Sequence, residues 1–466
     1  MRKNANKNEA DRNGGLFEAG AARVDITPPP GTLINGDFIT HYAVAVNDPL
    51  YAKAIVCRCG ETIMALIAAD ICAMRAPFIQ DVKKRIAVET GILPEHVMLA
   101  ATHTHAAGSV EDLLLGACDL SYRLRLPDKI LLAVKKAKER LRPAKIAFGN
   151  VDAPEHVVCR RYFMKAGYRF KNPVTGEYDK IKTNPIGDER QVERPVSDTD
   201  PQIAYLAIKG LDDEWIALLG NYSMHYVGDF VPGTITADYF GVFSEQVALK
   251  LNAGDQFLGM LTNGTSGDAN IWDFLHPERY PKALHEKSRL IGTSLAEKVA
   301  RSLETAEWDL QPSLTSMYEE INVRVRKPSA EEADAAAKRI KGAEYEKLTG
   351  SVADLEQIYA REQVLLSAYP DEMSFPVQVF KIGKGMIGAL GGEFFSETGL
   401  WLKQQAGGHY FTVTICNDYV GYVPPAHEFE LGGYETWRCR TSFLDTEAES
   451  LIRNTMASLI KKLSNA

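Results

Sequence analysis

A chain of 466 residues has enough sequence for one large or two ordinary domains, and it can bury a core without disulfide or metal staples. With 45% apolar and 24% charged residues it has the composition of an ordinary soluble globular protein, and its net charge of −8 argues against a nucleic-acid partner. Asp70 interrupts the long apolar stretch at 63–74, so no membrane span is expected. The seven cysteines are odd in number and spread over a long chain, which points to buried structural thiols rather than a disulfide framework. Cys57 and Cys59 have no second pair at zinc-cluster spacing.

Residues 1–15 are polar and are expected to form a disordered tail. They lack the apolar core of a secretory signal, so cytoplasmic residence is the expectation. Apolar runs at 54–59 and 62–69 predict strands, and 77–90 predicts a helix closed by Gly91. A strand is expected at 96–101, then a helix at 128–141 burying Leu131, Leu132, Val134 and Leu141. Strands at 146–148, 203–208 and 215–219 follow. The polar stretch 163–201 is long for a structureless loop and suggests a lid or a substrate-binding excursion. Further on come a helix at 240–251, a strand at 257–262, a helix at 284–303 and a strand at 315–325. Residues 330–369 read as an inserted helical hairpin joined near Thr349-Gly350, with a solvated face. Strands at 375–381, 386–390 and 411–416 precede a last helix at 445–463. This interleaving predicts an α/β fold with large mixed sheets flanked by helices, a single catalytic domain over 16–466.

Four polar clusters each follow an apolar strand. They are Thr102-His103-Thr104-His105, the run from Asn221 to Tyr226 that contains His225, Gly391-Gly392-Glu393, and the run from Asn417 to Val423. Ligand sites gather at strand ends in such folds. Two residues apart on a strand, His103 and His105 share a face. Two histidines and a carboxylate are a usual set for catalytic zinc, with one position left open. A fifth cluster, from Leu261 to Asn270, is dense in small polar residues and reads either as a plain turn or as a backbone-rich loop lining the site.

Taken in order, these clusters resemble the catalytic domain of the neutral/alkaline (non-lysosomal) ceramidase family. The likeness is carried by the segment from Ala19 to Pro29, Thr102-His103-Thr104-His105, Ala237-Asp238-Tyr239-Phe240-Gly241, the run from Asn263 to Asp268, Gly392-Glu393, and Gly421-Tyr422-Val423. It covers about residues 16–463. The resemblance implies zinc held by His103, His225, Glu393 and Tyr422, although the residues alone do not choose Tyr422 over Tyr419. It also implies that His105 bonds substrate or water beside the metal, and that Arg160 and Tyr434 steady the oxyanion. Two departures stand out. Asn270 occupies the place of a family serine, and the β-sandwich domain that follows the catalytic domain in ceramidases has no counterpart in this sequence.

The expected chemistry is therefore zinc-dependent hydrolysis of an amide, or less readily an ester, in a small soluble substrate other than ceramide. Water is the nucleophile, with His105 or a carboxylate such as Asp268 taking its proton. Tyr434 and Arg160 supply preorganised donors, and Asn270 bonds the substrate. Two alternatives use the same residues. One is a carbohydrate-directed hydrolase or lyase, with Tyr434 and His105 as acid and base and Trp272 and Tyr239 stacking on a sugar. The other is a zinc-binding homologue without catalysis. The oligomeric state, a homo-oligomer included, is left open.

Overall fold

The computed structural model describes residues 15–465. The expected disordered tail lies outside the described residues except for Gly15.

Two β-sheets stack face to face, with helices on both outer sides. The larger sheet has eight strands: Phe17–Asp25 (β1), Tyr51–Cys59 (β2), Thr62–Ala69 (β3), Val97–Ala101 (β4), Arg142–Asp152 (β5), Gln202–Gly210 (β6), Trp215–Tyr222 (β7) and Leu258–Asn263 (β8). Their order is β8-β7-β6-β5-β1-β2-β3-β4. The β7–β8 and β3–β4 pairs are parallel and the others antiparallel. The smaller sheet runs Leu314–Arg324 (β9), Glu372–Ile382 (β10), Gly385–Leu390 (β11) and Tyr410–Val413 (β12), in that order.

Alternating side chains separate the layers. In β2, Ala52, Ala54 and Val56 face helices, whereas Ile55 and Cys57 face the smaller sheet. In β6, Ile203, Tyr205 and Ala207 point one way and Ala204, Leu206 and Ile208 the other. Strands buried on both faces read as continuous apolar runs, which is why these segments stand out in the sequence. Helices Ala76–Thr90 (α1), Leu120–Glu139 (α2), Asp238–Lys250 (α3) and Glu286–Ser302 (α4) cover the outer face of the large sheet. The insertion supplies Ala330–Arg339 (α5) and Leu355–Ser367 (α6), which pack on each other, and α5 opens on a Ser329/Glu332 capping box. Ser396–Ala406 (α7) and Ala448–Ser464 (α8) complete the set, and α8 packs against the outer face of the small sheet.

One strand was not anticipated, one helix differs from expectation, and the polar excursion has a structure of its own. β1, rich in alanine and glycine, has weak strand propensity, yet it is paired on both sides. α2 begins eight residues before 128, because the Asp119 side chain accepts from the Tyr122 amide (2.9 Å) and the helix continues through Pro127. Its buried stripe includes Leu126, Ile130, Val134 and Ala137, and Leu132 faces solvent. The stretch 163–201 is not structureless: Arg161–Met164, Ile181–Thr183 and Val192–Pro195 form a small antiparallel sheet. All seven cysteines are free, and no helix among the described residues is long and apolar enough to cross a membrane.

Gly20 sits where β1 meets the end of α2. A Cβ there would lie 2.2 Å from the Ala137 carbonyl oxygen and 2.7 Å from the Arg140 carbonyl carbon, both backbone. Gly20→Ala is expected to cost about 1–3 kcal/mol in urea unfolding. A midpoint equal to wild type would refute this tight contact.

Candidate metal centre

The chain after β12 ties the two sheets together at their strand ends. The Thr414 amide donates to the carbonyl of Asn263 at the end of β8 (3.0 Å). The Ala101 amide in β4 donates to Ile415 (3.0 Å), and the Asn417 amide donates to Leu99 (2.9 Å). Ile415 (φ 52) and Asn417 (φ 66) take left-handed backbone to do this, and His103 (φ 73) does the same just beyond β4. For a β-branched residue such as Ile415 this is a true outlier, and such strain clusters at functional sites. His103 and His105 therefore lie past the strand. Turn geometry rather than strand alternation brings their Nε2 atoms to 3.3 Å.

The His103 Nδ1–H donates to the Cys72 carbonyl (2.8 Å), which leaves Nε2 as the free lone pair. That Nε2 lies 3.6 Å from Glu393 Oε2, and His225 Nδ1 lies 3.7 Å from the same oxygen. All three side chains are buried, and their candidate ligand atoms lie within 4.8 Å of one another. Both His225 Nδ1 and Glu393 Oε2 lack any hydrogen-bond partner. Burial, then neighbouring His105 and Arg160, holds His103 neutral; burial, then Arg160 and the other imidazoles, does the same for His225. Burial pushes the Glu393 carboxyl up to about 7 against the pull of Arg160. Two neutral imidazoles and a carboxylate with unclaimed lone pairs fit a divalent ion such as Zn²⁺. The grouping Cys72, His103 and His105 fits less well, since His103 Nδ1 is already committed and burial raises the thiol well above its ordinary range.

Tyr419 and Tyr422 have different positions. The Tyr419 hydroxyl donates to Glu393 Oε1 (2.8 Å) and fixes the carboxylate. Tyr422 lies opposite Glu393 in a short parallel bridge and faces the cavity, with Arg160 5.0 Å above its ring. His105 is clamped: its ring stacks on Tyr226 (3.6 Å, 17°), and a Cβ on Gly36 would lie 2.6 Å from His105 Cγ. With φ +128, Gly36 has both the conformation and the contact that call for glycine. His105 Nδ1 has no hydrogen-bond partner and stands 4.0 Å from Asp37.

Arg160 donates through Nε to Glu435 Oε1 (2.8 Å), and its Nη2 is buried without a partner. The other Glu435 oxygen accepts from Arg161 (2.5 Å) and Thr183 (2.7 Å), and Arg161 continues to Glu428 (2.8 Å). Burial would raise Glu435, but Arg161 and Arg160 together hold it below the usual range. Tyr434 lines the cavity, with its ring 5.4 Å from that of Tyr422. Asn270 also lines it, with its oxygen accepting from the Trp272 amide (2.7 Å) and its nitrogen donating to Asn184 (2.5 Å).

Asp268 is placed elsewhere. Oδ1 accepts from the Ser396 amide and hydroxyl (both 2.8 Å) at the start of α7, and Oδ2 accepts from Ser197 (3.1 Å). Both oxygens are engaged away from the cavity, so the expected proton acceptor is instead a helix cap. Its loop approaches Glu393 closely: a Cβ on Gly267 would lie 2.4 Å from the Glu393 carbonyl oxygen. Trp272 lines the cavity, whereas Tyr239 is fully buried and donates to the Met224 carbonyl (2.9 Å), out of reach of any sugar.

The cavity above these residues measures about 630 Å³. Its floor holds His105, Arg160, His225 and Tyr422. Its walls come from the 163–201 excursion, from residues 36–41 and from the connector of the helical insertion, which is thus not merely a solvated cap. Sequence reasoning missed Gly36, Asp37 and Cys72, and it gave Tyr226 no role although Tyr226 closes the cluster that contains His225. The loop 36–41 follows no long apolar strand, and Cys72 acts through its carbonyl.

Glu435→Ala would strand Arg160 and Arg161 in the interior. A loss of about 3–5 kcal/mol is expected in denaturant unfolding. A loss under about 1 kcal/mol would mean that the arginines find water or other partners.

No protein-family model matches the sequence, and none of the curated proteins does. Among solved structures, the fold is similar to neutral ceramidase from Pseudomonas aeruginosa, with TM-score 0.72, 17% identity, and coverage of 96% of this chain and 74% of that one. It is similar as well to a ceramidase complexed with C2, with TM-score 0.71, 15% identity, and coverage of 97% and 75%. The chain thus has the neutral ceramidase fold over nearly its whole length, and the likeness read from its sequence motifs holds for the architecture.

Proposed function

We propose that this protein is a zinc-dependent hydrolase that cleaves an amide, or an ester, in a small soluble substrate. The observation that supports this reading is the convergence of His103 Nε2, His225 Nδ1 and Glu393 Oε2, the last two buried with no other partner. Tyr422 completes the ligand set in this reading, and Tyr419 orients the carboxylate. When bound, the ion supplies Lewis acidity toward a carbonyl and acidifies water toward neutrality.

The chain's own residues do the rest. His105, clamped between Gly36 and Tyr226, directs Nε2 toward the centre and takes the proton of the attacking water at that atom. The unpartnered Nη2 of Arg160 and the hydroxyl of Tyr434 donate to the oxyanion. Glu435 and Arg161 hold Arg160 rigid, so little reorganisation is needed as charge develops. Asn270 offers an amide where a ceramidase has a hydroxyl. One lone pair of its oxygen is taken by the Trp272 amide and one N–H by Asn184, which leaves its second N–H and second lone pair for substrate.

Elemental analysis of the purified protein is expected to find about one zinc per chain. His225→Ala should lose that zinc and at least about a hundredfold in amine release from a panel of N-acyl amines. Tyr419→Phe should keep the fold but bind zinc about 10–100-fold more weakly in chelator competition. Metal-free wild-type protein, or full activity in His103→Ala, would sink the proposal. Release of reducing sugar from glycosides without amine release would transfer the site to carbohydrate chemistry.

A further inference from the structure

The cavity is a cleft open to solvent on one side, with a polar floor and a mixed roof whose apolar part is built from two segments far apart in sequence. Residues 36–41 carry Phe38 and Ile39 across one side, and the connector between α5 and α6 carries Gly350 and Val352 across the other. The two segments touch. Gly350 has φ +76, and a Cβ there would lie 3.0 Å from Phe38 Cβ. The connector is braced rather than loose: one oxygen of Asp354 accepts from the amide and hydroxyl of Thr349 (2.9 and 2.8 Å) and from those of Ser351 (3.3 and 2.9 Å). Behind the contact, Phe170 stacks on Trp437 at 5.8 Å and 18°, and Phe38 rests 5.9 Å from Tyr434. Leu355, the first residue of α6, is buried in the same cluster.

Resting on the hydrolase reading above, we infer that the Phe38–Gly350 roof receives one apolar group of the substrate amide and limits it to about eight carbons. A space of about 630 Å³ filled at liquid-like density takes about 20 non-hydrogen atoms. The amide and its polar part must reach the floor at His225 and Arg160, and they use about half of that number. What remains under the roof is a medium-length chain or a single ring. A lipid amide with two long chains has about twice the atoms the space holds, so its surplus would either lie outside the cleft in water or part the contact between Phe38 and the connector. The helical insertion thereby acts on specificity, through residues that touch none of the metal-type side chains.

Binding tests this separately from turnover. Octanoate, dodecanoate and hexadecanoate, each below its aggregation limit, are titrated into metal-free and zinc-loaded protein by calorimetry and by tryptophan fluorescence, to which Trp272 and Trp437 at the cavity contribute. Octanoate is expected to bind at least tenfold more tightly than hexadecanoate. In Phe38→Ala and in Val352→Ala, the affinity for dodecanoate relative to octanoate is expected to rise at least tenfold. Hydrolysis of the acyl p-nitroanilides of four, eight, twelve and sixteen carbons should follow the same order. Affinity that climbs steadily to sixteen carbons in the wild type, or variants that leave the ratio within twofold, overturns the size limit. A binding order as expected, with no anilide cleaved by the zinc-loaded protein, keeps the size limit and overturns the hydrolase reading.

Discussion

Glu393 is buried with one carboxylate oxygen bound by the Tyr419 hydroxyl and the other facing two imidazoles that do not donate to it. Such an arrangement is costly, since an ionised carboxylate out of water needs either hydrogen bonds or a cation. The Arg160 cation moderates the cost but is itself tied to Glu435. The surroundings are organised to keep this unmet oxygen in place. A glycine at 267 lets backbone press against Glu393, Asp268 anchors the following helix, and the Cys72 carbonyl fixes which nitrogen of His103 faces the centre. An apolar replacement of Glu393 would remove the cost altogether, so stability alone does not account for the residue.

That oxygen sits where two sheets meet. The larger sheet contributes the loops after β4, β7 and β8, and the smaller sheet those after β11 and β12. Residues 414–417 stitch the two together by main-chain bonds to Asn263, Ala101 and Leu99. Positive φ at Ile415 is the local expense of that stitch, offset by the hydrogen bonds it makes possible. A second polar layer, from Arg160 through Glu435 and Arg161 to Glu428, joins the small sheet of the 163–201 excursion to the turn that carries Tyr434. Buried ion pairs contribute little net stability, but removing any one member is severe, so the layer acts chiefly by holding positions.

Much of the architecture was legible because the central strands are buried on both faces and read as unbroken apolar runs, with 62–69 matching to the residue. β1 was not legible, since Phe17–Asp25 has alanines and glycine where a strand usually shows branched residues, and only pairing on both sides makes it one. The strand expected at 411–416 stops at Val413 because Ile415 turns away, a tertiary effect with no local signature. At the site, His103, His225 and Glu393 each follow an apolar strand, and that grammar pointed to them. Tyr419 and Tyr422 were inseparable in the sequence because both lie in one loop, and their roles differ only by which side of Glu393 each reaches. Asp268 looked available for proton transfer, but its commitments come from Ser396 and Ser197, far away along the chain.

The three convergent donors come from the first quarter, the middle and the last fifth of the chain, and from loops of both sheets. No partial structure with only one sheet formed can assemble them. An ion held there would act as a cross-brace between the two halves of the sandwich, adding its binding free energy to their docking and to nothing formed earlier. Occupancy of the centre would then report completed folding.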